Sequence, residues 1–98
     1  MRLETVKNYL NITWTDTATD SKVSTEMSRA ESYLNSVRGK AIDFDDENSF
    51  ASQLLLDCVW YIHNNAFADF CKNYREQVDS LRMERQAEDY AAAQNTDV

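Results

Sequence analysis

At 98 residues the chain has the size of one domain, and 43% apolar with 28% charged residues is the make-up of an ordinary soluble globular protein. A net charge of −7, shared by both halves and with no basic tail, argues against an outer surface that grips nucleic-acid phosphate. One glycine and no proline argue for helices over sheets, and no run of eighteen apolar residues is present to span a membrane.

In chain order, Arg2 to Leu10 carries Leu3, Val6 and Leu10 at helical spacing and predicts a short first helix that needs tertiary support. Asn11 to Thr19, NITWTDTAT, reads as a loop whose Thr and Asp side chains make local turns. Ile12 and Trp14 are its expected inward anchors, although a Trp there also suits an interface. Asp20 is the expected N-cap of a middle helix, Ser21 to Val37, with Val23, Met27, Ala30, Leu34 and Val37 on its inner face. Lys22, Glu26, Arg29 and Glu31 fall largely outside that face, with Lys22 and Glu26 spaced as an i,i+4 pair. Gly39 stands where a left-handed C-cap is needed, flanked by Arg38 and Lys40, which suit the negative helix end. In the following linker, AIDFDDENS, Ile42 and Phe44 alternate with Asp43 and Asp45, which predicts a short extended piece. The run Asp43, Asp45, Asp46 and Glu47 is not a calcium loop. Counted from Asp43, the sixth and twelfth places hold Asn48 and Leu54 where Gly and a carboxylate are required.

The stretch from Phe50 to Arg85 organises the rest. Phe50, Leu54, Cys58, Ile62, Ala66, Phe70, Tyr74, Val78 and Leu81 recur at steps of three and four along one helical face, widened by Leu55, Val59, Trp60 and Phe67. The only weak point is Asn64-Asn65, so the stretch reads as one long bent helix or as two helices meeting there. Beyond Arg85 the pattern fades; the helix is expected to persist to about Ala93 and then fray. The fold class is therefore all-α: a small single-domain bundle with a short N-terminal helix, a middle helix and a long C-terminal helix or helix pair.

Little in the chain resembles catalytic equipment. His63, the lone histidine, lies five residues from Cys58, which points the two side chains about 140° apart on a helix. Cys58 and Cys71 are expected as buried, reduced thiols. There is no glycine loop for a phosphate or an oxyanion, and one His with two distant Cys is a poor zinc set. The expectation is a non-enzyme with no cofactor and no metal. Arg75, Arg82 and Arg85 share a side through steps of seven and three, a candidate docking stripe on an acidic protein.

The run VKNYLNITWTDTATDSKV, then AESYLN, then LLLDCVWYIHNNAFADFCKNYREQVDSLRMER resembles the head–tail connector (portal adaptor, or head-completion and DNA-packaging) proteins of tailed bacteriophages. The particular marks are VKNYL-x-I-T-W before an Asp/Thr loop, LLLD, NNA, and F-x-x-NY-x-x-x-V-x-x-L-R, from Phe70 through Asn73, Tyr74, Val78 and Leu81 to Arg82. The chain departs from the family at Val59-Trp60-Tyr61, where a basic residue is expected near Tyr61. The resemblance implies an all-helical virion protein that rings the underside of the portal, extends the DNA channel and joins head to tail. Its partners would be the portal ring, neighbouring copies of itself, the next tail or head-completion protein, and DNA passing without sequence-specific binding. No membrane is involved.

The N-terminal MRLETVKNYLNITW holds no apolar core for a signal peptide, so the expected setting is the cytosol. The resemblance implies assembly in the host cytoplasm and then a place at the head–tail junction. The candidate interface joins Arg75, Arg82 and Arg85 of one copy to Asp43, Asp45, Asp46 or Glu47 of the next, with Trp14 as a further contact. The competing expectation is a small helical nucleic-acid-binding or regulatory phage protein, which would need a basic recognition helix.

Overall fold

The computed structural model describes residues 1–95, and over that span the chain folds as five helices with no strand. They are α1 (Leu3–Tyr9), α2 (Thr17–Arg38), α3 (Phe50–His63), α4 (Phe67–Asn73) and α5 (Arg75–Asn95). The expected all-α bundle is the observed one. α2 is its scaffold: α1, α3 and α5 all pack on it, while α3 also touches α1 and α4, and α4 touches α5. No described helix is long and apolar enough to cross a membrane.

α1 is too short to persist alone and is held by Val6, which is fully buried, with Leu3 and Leu10 packed against the same core. Asn11 then turns the chain through positive φ (61°), a conformation Asn tolerates better than most residues, and Ile12 drops into the core. Trp14 does not follow it inward. The ring is 55% exposed and its Nε1 donates to Thr19 Oγ1 at 3.4 Å.

α2 begins at Thr17, earlier than expected, because Asp16 and not Asp20 is its N-cap. The Asp16 carboxylate accepts from the Thr19 N–H at 3.2 Å and from the Thr19 hydroxyl at 2.9 Å, and those bonds hold its pKa below the usual range. Asp20 lies inside the first turn and pairs with Lys7 of α1 at 2.8 Å. At the other end Gly39 takes φ +82° and its N–H bonds Asn35 O at 2.8 Å, the left-handed cap that the sequence predicts.

Residues 41–49 form no strand, yet the inward alternation holds: Phe44 is buried and Ile42 half-buried, while Asp43 and Asp45 face out. Ser49 caps α3 by accepting from the Ser52 N–H at 3.1 Å. The long apolar stretch becomes three helices. One break is at Asn64-Asn65, where Asn65 adopts φ 56°. The second is at Tyr74, between α4 and α5, where no residue type announces it.

Leu54, Cys58, Ile62, Phe70, Val78 and Leu81 are all buried, as the stripe requires. Phe70 is the centre of an aromatic stack, 4.8 Å from Tyr74 and 6.3 Å from Tyr33 between ring centroids. Five members of the widened stripe behave otherwise. Phe50, which opens α3, and Trp60 are exposed, and Ala66, Phe67 and Tyr74 are only half-buried. Cys71, expected inside, is also exposed; it lies beyond the Asn64-Asn65 turn, which resets the helical phase. α5 runs to Asn95, slightly beyond the expected end near Ala93, and fraying further on would fall outside the described residues. From Arg82 to Ala93 every residue of α5 is exposed, so its second half is an arm on the helical body, and the molecule as a whole is 57 Å along its longest axis.

Candidate functional site

The candidate basic residues all belong to α5. Arg75 starts the helix and has no ion-pair partner among the described residues. Arg82 and Arg85 line an open cleft between α2 and α5 with Tyr33, Ser36, Val37, Gln86 and Asp89. Arg82 bonds Asp79 at 2.8 Å, and Arg85 lies 4.0 Å from Asp89, each within its own helix and each about half exposed. Exposed pairs of this spacing contribute only a few tenths of a kcal/mol, roughly, so an outside carboxylate can replace them at little cost. The Arg85 side chain also lies over Gly39: a Cβ on that glycine would meet Arg85 Nε at 2.6 Å.

The arm is anchored where α2 ends. Arg38 is buried, and its Nε donates to Glu84 Oε2 at 3.1 Å while its Nη2 donates to Glu88 Oε1. Lys40 Nζ reaches the same Glu88 oxygen at 3.0 Å. Hydrogen bonds from Arg38 and Lys40 lower the Glu88 pKa. The sequence carries no sign of this cluster beyond the cation at a helix end, because more than forty residues separate the partners.

The acidic candidates sit in the 41–49 linker, and part of their charge is used internally. Asp45 pairs with the N-terminal amine at 3.1 Å, and Glu47 lies 3.6 Å from Arg2. Asp43 and Asp46 accept from the backbone N–H two residues on, Asp45 and Asn48 respectively, which shapes the turn, and neither has an ion-pair partner among the described residues. Asp43 and Asp46 are therefore the open members of the acidic set. Trp14 is on the surface, on the α1–α2 loop, and lines a shallow recess with Ile12, Lys7 and Asn8.

The titratable groups away from these surfaces are structural in placement. Glu26 turns inward instead of pairing with Lys22; its Oε1 is 2.8 Å from His63 Nδ1 and the residue is buried. This bond ties α2 to the end of α3. Burial pushes the Cys58 thiol up to about 12, away from the reactive thiolate. No group of three or more His, Cys, Asp or Glu among the described residues is arranged to hold a metal ion.

No protein-family model matches the chain, and neither a curated protein nor a solved structure gives a significant match.

Proposed function

We propose that this chain is a structural virion protein of a tailed bacteriophage, a head–tail connector that forms a ring beneath the portal, extends the DNA channel and joins head to tail. The reading begins with the resemblance of VKNYLNITW, LLLD and F-x-x-NY-x-x-x-V-x-x-L-R to that family. The structural observation that carries it is the exposed second half of α5. This half buries no side chain in its own body and mixes charged residues with exposed Met83 and Tyr90, a surface that suits contact with an adjoining chain. Its arginines are held only by weak internal pairs, and Asp43 and Asp46 lie open elsewhere on the molecule. Two different complementary patches are what a head-to-tail ring needs.

Each subunit carries −7, so a closed ring concentrates like charge and resists forming alone. A portal supplies a template on which each bound subunit raises the local concentration for the next. The test is Arg82→Glu, assayed by attachment to purified portal rings and by electron microscopy of the product. The variant should fold normally and lose ring formation. Unchanged attachment with unchanged yield of infectious particles would dispose of the α5 patch. A stable ring of the free protein at low salt would overturn the template argument.

A further inference from the structure

A second feature has no part in the α5 surface. Tyr9 at the end of α1, Asp57, Trp60 and Tyr61 on α3, and Tyr74 at the α4–α5 junction surround an open recess of about 380 Å³. Its floor is a carboxylate. The Tyr9 hydroxyl donates to Asp57 Oδ1, and Tyr74 lines the same recess. Burial first, and then the neighbouring Asp57, raise the pKa of both phenols, so both remain protonated donors. The Tyr9 donor orients the carboxylate but, being neutral, supplies no counter-charge. No Lys, Arg or His pairs with Asp57 among the described residues.

The walls are aromatic. Trp60 meets Tyr61 edge-on at 5.1 Å, Tyr61 meets Tyr74 at 5.7 Å, and Asn73 Nδ2 donates to the Tyr61 hydroxyl at 3.3 Å. Trp60 and Tyr9 form the rim, 43% and 41% exposed. An exposed Trp beside a half-buried, uncompensated carboxylate is poor economy for a core and good chemistry for a cation. Aromatic faces attract positive charge, and the carboxylate completes the neutralisation. An anion is repelled by Asp57, and an apolar group leaves Asp57 unpaired. Among biological cations the guanidinium fits best, because it is planar, stacks on indole and presents paired donors to a carboxylate.

We propose that this recess binds an arginine side chain presented by another protein chain, its guanidinium stacked on Trp60 and bonded to Asp57. The proposal stands on the recess alone and does not depend on the connector reading. The test is a titration of the intact protein with N-acetyl-argininamide, followed by nitrogen–proton spectra. The Trp60 indole signal should shift saturably. That of Trp14, an exposed indole on the α1–α2 loop, should stay put. Asp57→Asn should weaken binding about tenfold, as should Trp60→Ala, whose wild-type ring is already exposed and whose fold is checked by circular dichroism. N-acetyl-lysinamide should bind more weakly. Equal movement of both indoles, binding unchanged in the two variants, or lysinamide binding as tightly as argininamide would each overturn the assignment.

Discussion

The two halves of α5 are one continuous helix under two regimes. Its first half sends Val78 and Leu81 into the core beneath Tyr74 and Phe70, and is held as the rest of the body is held, by apolar burial. Its second half buries nothing and is fastened near its start by charge, through Arg38, Lys40, Glu84 and Glu88. The body is therefore most sensitive to lost volume, with charged contacts such as Lys7–Asp20 and Glu26–His63 added to its apolar burial, and the second half of α5 is most sensitive to salt and acid. In the proposed ring, such a division would leave one surface to exchange its own ion pairs for those of a neighbouring copy.

The sharpest way to break this contrast is to remove volume from the body. Phe70→Ala deletes a fully buried ring that stacks on Tyr74 and meets Tyr33, Tyr61 and Phe67. It should cost about 3–5 kcal/mol in denaturant melts. A loss below about 1 kcal/mol would mean that the aromatic stack is not what holds α4 and α5 to the bundle.

A smaller effect is expected at Gly39, where body and arm meet. Gly39→Val places a β-branched side chain at φ +82° and drives its Cβ into Arg85, to 2.6 Å from Nε and 2.7 Å from Cδ. Backbone strain alone should cost about 1 kcal/mol or more, and Arg85 must swing away as well. A neutral result in the same melts would remove both the cap and the contact.

These residues also show what the sequence made legible. Gly39 could be placed because only one backbone geometry explains a lone glycine after a helical run. Asn64-Asn65 stands out because Asn is a poor helix former that can cap a new start. The break at Tyr74 has no such sign, since no Gly, Pro, Asn or Asp stands at or directly after Tyr74. Propensity predicts a loop over Thr17-Ala-Thr19, and the Asp16 cap overrides it. Periodicity predicts the stripe but not its coverage: it puts Trp60 inside and Glu26 outside, the reverse of the observed burial. The aromatic recess draws on α1, α3 and the α4–α5 junction at once. Its only local trace is an acid followed at the third and fourth places by Trp60 and Tyr61, beside the apolar stripe.

The smallest expected effect belongs to the arm and depends on pH. The Glu88 pKa is lowered from an ordinary 4.5 by hydrogen bonds from Arg38 and Lys40. A carboxylate whose folded pKa lies below its unfolded value adds stability above the unfolded pKa and loses it as pH falls through the folded one. The arm should therefore hold its helix unchanged down to about pH 5 and loosen only below the ordinary carboxylate range. The Cα chemical shifts of Ala87, Ala91 and Ala92 should drift toward coil values there, while those of Val23 and Leu55 in the body stay helical. Glu88→Gln should remove the part of the drift that belongs to this cluster, because the amide has no proton to gain. If the body shifts together with the arm, or Glu88→Gln leaves the acid transition intact, then charge at the end of α2 is not what fastens the second half of α5.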